Sequence, residues 1–568
     1  MTSANPRTLL ATASVAVALA AADTYVVVLA LPDMMAGVGL GLDALQKATP
    51  IISGFLLGYI AVLPLIGRLS DLLSRQHVLL SCLLVFVIGS AITAVSVELP
   101  VLVGGRVLQG IGGGGLVPAT LALVADLWPP ERRGTPLGVV GAVQELGSVL
   151  GPLLGAAVLA VAGWRAIFGL NVVLGLVLAT VLVLAGGRAA RPQLHVLPTV
   201  LGLTAISMGL LTLVAPKSLA DDVMLGIPFI PFAGTGRLAT PLGVVTLVLL
   251  LAALTAARES LLGLLRRVDL FGALCVAVAL GSLVLTFASA DPEREVVGSW
   301  GWALVPLGLL AVLAYVWRHR RVPDPLVPRG LMRMRGGSRV VPALLVSALA
   351  GVALVAVVVD VPVLARLTVT GSQTTAALVL VRFLLAVPLG AFLGGWSLRW
   401  LGAASVAASG LVLAGVGLVL MSGWGHASLQ SWTVTPVLVV GGLGLGLALA
   451  PVNAAALASV PADGHGVASS LVVLARMVGM VVGLALLTGI GLHRYYGSVA
   501  ALPNQQDVAA LAAAGVVQVQ TVFLGGAVAA FAGAVVALAL SGPRSRGSGG
   551  PVRGPGRSRA RLPRPTRR

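Results

Sequence analysis

One pattern limits what this chain can become before any motif is read. Apolar runs of about 20 residues recur from end to end, the length an α-helix needs to cross ~30 Å of hydrocarbon. Sixteen candidate spans can be marked: 8–31, 46–66, 77–97, 101–124, 134–161, 164–185, 196–215, 240–257, 268–289, 300–317, 339–363, 374–396, 401–422, 434–459, 466–490 and 517–541. Nothing resembles the alternating ten-residue strands of a membrane barrel. Composition agrees: of 568 residues 58% are hydrophobic and 10% charged, with a mean hydropathy of +1.04. Soluble domains carry about 25% charged residues. The expected class is an all-α polytopic membrane protein.

The loop charges test the count, because cytoplasmic loops collect arginine and lysine. With the N-terminus inside, Arg68 and Arg75, Arg132 and Arg133, Arg188 and Arg191, then Arg258, Arg266 and Arg267 all fall on the cytoplasmic face. The arginines of 318–335, Arg399 and the C-terminal tail fall there too, while Asp221, Asp222 and the acids of 291–295 fall outside. The alternation holds through all sixteen spans and predicts both termini on the cytoplasmic side. It divides the chain into a six-helix half at 1–192, a linker with two transmembrane hairpins at 193–337 and a second six-helix half at 338–541. The net charge of +18 is no sign of nucleic acid, since nine arginines crowd into Gly542–Arg568 beside Pro, Gly and Ser. Such a tail is expected to be disordered and held near anionic lipids. The first run is too long for a signal-peptide core and carries Asp23, so it reads as an uncleaved helix. Cys82 and Cys275 both lie inside spans, so no disulfide framework is implied.

The stretch Gly134–Ala156, GTPLGVVGAVQELGSVLGPLLGA, is apolar yet holds one acid, Glu145, and a mid-span Gly151-Pro152. Gly147, Gly151 and Gly155 recur every fourth residue, a smooth stripe for close approach of another backbone. Glu145 falls on the other side, in line with Gly138, Gly141 and Pro152. A bare acid at mid-bilayer costs roughly 2.5–3.5 kcal/mol, so it should face protein or a wet cavity. Asp23, Arg382 and Arg476 are also at depth; Asp23 lies about 15 residues, or ~22 Å at 1.5 Å per residue, from the cytoplasmic start of the first helix. Two acids and two arginines at similar depth can pair across the halves, and breaking and remaking such pairs can load and release protons. Structural pairing without coupling is the alternative.

Three further patterns carry chemistry. The loop after the second span reads Gly67-Arg-Leu-Ser-Asp71-Leu-Leu-Ser-Arg75, where Asp71 can accept from the N-terminal amides of another helix and Arg75 can pair with Asp126. The fourth span carries Arg106, Gln109 and Gly110 in RVLQGIGGG. The outer stretch 491–520 is long for a hairpin and Ala/Val-rich, which suits helical extensions beyond the membrane as well as an ordinary mobile loop.

These motifs together resemble the major facilitator superfamily: GRLSDLLSR its loop signature, RVLQGIG its fourth-helix motif, and Gly138, Gly147, Gly151-Pro152 and Gly155 its fifth-helix antiporter motif. The first helix, DTYVVVLALP from Asp23, and WRAIFGLN at 164–171 are similar to the 14-helix drug:proton antiporter branch. Closer still, DTYVV, LLGYIAVLPLIGR, QELGSVLGP, VVVDV and LARMVGM resemble mycobacterial triacylglyceride and drug exporters that work with a periplasmic lipid-carrying lipoprotein. Departures are Ser74, Gln76, Val28 and Ala156, and a linker of four spans where that family has two. The resemblance implies the major facilitator fold and a proton-driven exporter of triacylglyceride-like lipid, with amphiphilic drugs as the alternative cargo and that lipoprotein as a partner. It favours Asp23, Glu145 and Arg476 as functional and says less of Arg382. No cofactor, metal site or catalytic residue is expected. His77, His195, His319, His426, His465 and His493 are scattered, and no HExxH, phosphate loop or Ser/His/Asp grouping supports the remote alternative, an embedded lipid hydrolase.

Overall fold

The computed structural model describes residues 5–40, 45–186, 196–220, 222, 226–232, 236–265, 268–288, 301–329, 339–368, 373–504 and 507–541. The basic tail, the acids of 291–295 and Arg188, Arg191, Arg266 and Arg267 lie outside the described residues.

Among the described residues there is no strand, and sixteen helices of 16 residues or more fall on the sixteen marked segments. They are α1 (Pro6–Gly37), α2 (Leu45–Leu72), α3 (Arg75–Val95), α4 (Leu99–Leu127), α5 (Gly134–Val161), α6 (Trp164–Ala185), α7 (Val196–Val214) and α8 (Pro241–Ala256). Then come α9 (Leu270–Ala288), α10 (Gly301–Arg321), α11 (Val340–Thr368), α12 (Gln373–Ser397), α13 (Ala403–Ser422), α14 (Val434–Leu457), α15 (His465–Ala500) and α16 (Val508–Ala537). Thirteen are long and apolar enough to cross a membrane, or fourteen if α8 and the short helix that follows it form one broken span. In α9 the apolar part is shorter, Leu270–Thr286.

Local chemistry sets several helix ends. Ser74 caps α3 by accepting from the His77 amide at 3.3 Å, and Asp507 caps α16 by accepting from the Ala509 and Ala510 amides at 2.9 and 3.3 Å. Each such cap contributes about 1 kcal/mol. Prolines stand inside α1, α2, α4, α5, α10, α11, α12 and α14. Spanning helices tolerate this because neighbours satisfy the freed carbonyls.

Lipid tails are as apolar as leucine, so close approach of backbones has to hold such helices together. In the first bundle α4 lies on α2, where a Cβ at Gly110 or Gly114 would strike the backbone of Phe55 or Tyr59, and on α3, where one at Gly112 would strike Phe86. The same device recurs in the second bundle. There α14 lies on α12 through Gly442 and Gly446, and on α13 through Gly444. The bundles meet through α5 on α12 and α14, and through α2 and α4 on α15. Of the linking helices, α7 and α8 pair with each other beside α3, and α9 pairs with α10 while lying on α2. The Glu98 carboxylate accepts from the Arg237 amide at 2.8 Å and ties the first hairpin to the start of α4.

The stretch 491–520 is mostly helical: α15 runs unbroken for 36 residues to Ala500, and α16 begins at Val508. At 1.5 Å per residue α15 is about 54 Å long, well beyond a ~30 Å hydrocarbon core.

Candidate functional site

The glycine stripe of α5 explains how the acids come to lie where they do. A Cβ at Gly147, Gly151 or Gly155 would collide with Ala18, Ala22 or Val26 of α1. The opposite side of α5 turns to the second bundle, where Gly138 approaches Ala391, Phe392 and Gly395 of α12. Glu145 therefore leaves α5 towards the other half, and its Oε1 accepts from Arg476 Nη1 of α15 at 2.9 Å. Both side chains are largely buried, 12% and 10% exposed. Arg476 in turn is held by backbone packing, because Gly351 of α11 lies against its carbonyl.

Two apolar cavities flank this pair. One, of about 30 Å³, is lined by Val117, Leu137, Gln144, Leu449, Val473 and Arg476. The other, of about 90 Å³, is lined by Val17, Phe55, Gln144, Glu145, Arg476 and Met480. Gln144 and Arg476 belong to both walls.

Asp23 is met inside the first bundle instead. Its Oδ2 pairs with Arg106 Nη1 at 2.5 Å, and its Oδ1 accepts from Asn171 Nδ2 at 2.6 Å and Gln109 Nε2 at 3.3 Å. Gln109 Oε1 takes a second bond from Arg106 Nη1 at 2.8 Å, and Gln109 Nε2 donates to Ser90 Oγ at 2.8 Å. The guanidinium also donates to the Ile51 carbonyl at 3.3 Å and lies 4.6 Å from the Phe55 ring centre. Asp23 and Arg106 are each 1% exposed. Desolvating two such charges costs several kcal/mol apiece, and only a filled set of partners offsets it. Here five helices, α1, α2, α3, α4 and α6, supply those partners.

The third centre is at the end that carries the basic loops. Asp71 of α2 accepts from the Gly466 and Val467 amides at 2.7 and 3.0 Å, the free N–H groups that open α15. Its charge is well placed against the positive end of that helix dipole. Arg75 pairs with Asp71 at 3.3 Å and Asp126 at 3.2 Å, and donates to the Ala462 carbonyl at 3.0 Å. A Cβ at Gly67 would strike Ser470 of α15, so the two halves are tightly closed at this end.

The structure thus brings Glu145 to Arg476 and Asp23 to Arg106, not all four deep charges to one chamber. Arg382 stands apart: it is exposed on α12, and its described bond runs to Thr435 at 3.0 Å. Phe383 beside it takes the buried direction. Depth along a helix says nothing of direction around it. Asn171, Ser90 and Gln144 were not singled out from the sequence; the signal available was a polar residue inside an apolar run, which applies to many serines and threonines as well.

Comparison with known proteins decides the family. The model of the Major Facilitator Superfamily matches residues 13–197, which cover α1–α6. The triacylglyceride transporter of Mycobacteroides abscessus is 37% identical over 504 residues, 87% of this chain and 84% of that protein. The chain belongs to the major facilitator superfamily. The triacylglyceride transporter of Mycobacterium tuberculosis strain H37Rv is 34% identical over 530 residues, 90% of this chain and 88% of that protein. Among solved structures, the human organic anion transporter MFSD10 (TETRAN) aligns with a TM-score of 0.54 at 15% identity, over 93% of this chain and all of that one. The proton:xylose symporter XylE aligns with a TM-score of 0.51 at 14% identity, over 90% and 94% of the two chains. These two likenesses are of fold. As a superfamily member with this many apolar helices, the chain is a multi-pass membrane transporter.

Proposed function

We propose that this transporter is a proton-gradient-driven exporter of a triacylglyceride-like lipid. The observation that carries the reading is the Glu145–Arg476 pair, which among the described residues is the ion pair that joins the two halves, set between two apolar cavities. The names of relatives that align along most of the chain support the cargo.

The mechanism follows from where the bonds lie. A proton on Glu145 cancels its charge and with it most of the attraction to Arg476, which loosens the halves at mid-membrane. Rocking of the halves about that point alternates access to the cavities. The latch at Asp71, with the pair above it, holds the end that carries the basic loops shut. Asp23 is the second proton-coupling candidate, and its exchange requires α4 or α6 to move off α1. The long outer ends of α15 and α16 suit a lipid-carrying lipoprotein that takes over the cargo. The arginine distribution supports a bacterial plasma membrane setting with cytoplasmic termini, and the basic tail suits anionic headgroups.

Triacylglyceride transfer in proteoliposomes tests this. Transfer should rise with an imposed pH gradient, and Glu145→Gln should abolish that dependence. Full gradient-driven transfer by Glu145→Gln would refute the coupling. Dye efflux by the same vesicles tests a second reading, export of cationic amphiphiles, which the Glu145 carboxylate on an apolar wall favours.

A further inference from the structure

A cleft of about 610 Å³ lies away from the central cavities, between the α9–α10 hairpin and the seam where α2 meets α15. Its walls are apolar: Pro64 of α2, Leu471 and Leu474 of α15, Val276 of α9 and Val316 of α10. At one end it meets the basic last turn of α10, with His319 and Arg320, and then Arg329; among the described residues no acid lines it.

Most cations at that end are already engaged. Arg318 pairs with Asp269 at 3.1 Å, and Arg321 stacks 4.4 Å from the Trp317 ring centre. Arg329 donates to the His319 carbonyl at 2.9 and 3.1 Å and to the Val322 carbonyl at 3.0 Å, closing the end of α10. Arg320 has no hydrogen bond or ion pair among the described residues, and the buried Nδ1 of His319 has no partner there. Arginines in a last turn ordinarily offset the helix dipole. That role does not require an apolar slot leading away from them. Cations at one end and hydrocarbon-lined walls at the other match an anionic headgroup with acyl chains.

We propose that this cleft binds an anionic phospholipid, with its phosphate against Arg320 and His319 and an acyl chain along Pro64, Leu471 and Leu474. The occupant touches α2 and α15, the helices that the Asp71 latch ties together. It lies one helix away from the central pair, since the far side of α15 presents Val473 and Arg476 to the inner cavity. A lipid here bridges the linker hairpin to the seam between the halves.

Native mass spectrometry of the purified full-length protein with phosphatidylglycerol tests this. The wild type should retain phosphatidylglycerol in preference to phosphatidylcholine, and millimolar inorganic phosphate should not displace it. Arg320→Glu should cut retention about fivefold, as expected for one arginine at a headgroup. Val316→Trp, which fills the cleft without touching charge, should cut it by a similar factor. Arg321→Gln, outside the cleft, should leave it unchanged. Thermal melts without lipid check that each variant is folded, and the Val316→Trp arm stands alone if Arg320→Glu is not. Equal retention by wild type and Val316→Trp overturns the proposal, since it reduces the binding to surface charge. Displacement by phosphate overturns it too, in favour of a soluble-anion site.

Discussion

Asp23 and Glu145 are each a single acid in an apolar helix, and their helices, α1 and α5, lie in contact through Ala18, Ala22 and the glycine stripe. Their charges are nonetheless met in opposite ways. Asp23 has three donors from two helices of its own bundle, and its arginine is itself held by a carbonyl, an amide and an aromatic ring. Glu145 has one described donor, Arg476, and it belongs to the other half. Rocking of rigid halves leaves the first set intact and pulls the second apart. On the proposed mechanism the first cluster holds a lobe together until its own helices part, and the second is a bond that the transport cycle makes and breaks.

The comparison can be broken at four places. The largest effect is expected for Asp23→Asn, which strands Arg106 at 1% exposure. Breaking a buried pair on one side costs roughly 3–5 kcal/mol, read as a lowered melting temperature. A near-wild-type melt would mean that Gln109 Oε1 and the Ile51 carbonyl alone satisfy the guanidinium. Next comes Glu145→Gln, which should lose about 1.5–3 kcal/mol from the closed arrangement while barely changing the melt of either bundle. Cysteine-accessibility labelling at the latch end reports it. The paired change Glu145→Gln with Arg476→Gln should be milder than Glu145→Gln alone, because no charge is left without its partner.

Asp71→Asn weakens the latch by about 0.3–2 kcal/mol, the worth of a charge at a helix N-terminus. Labelling should increase at the Gly466 end and not at Asp23. The smallest effect belongs to Arg382→Ala, within about 0.5 kcal/mol in melts and without change in transport, since Arg382 is exposed and bonds only Thr435 among the described residues. A large loss there would require a role for α12 in the cargo path.

The helices and their order were legible in the sequence, because hydrocarbon accepts almost nothing except an apolar helix of set length, although only thirteen or fourteen of the sixteen are long and apolar enough to cross. Close helix contacts were legible as well where glycines recur every fourth residue, as at Gly147, Gly151 and Gly155. Partners were not. Asp23 and Arg106 are 83 positions apart and Glu145 and Arg476 are 331 apart. Which arginine meets which acid depends on how helices turn about their axes and which bundles face one another. That rotation is decided by packing summed over whole helices, and no local pattern encodes it. Arg382 illustrates the gap, since it lies mid-helix as Arg476 does and only the direction of its side chain sets it aside. The sequence by itself determined that the chain spans a membrane and where its rare charges lie along each helix; the tertiary structure alone decided which of those charges close a lobe and which join two.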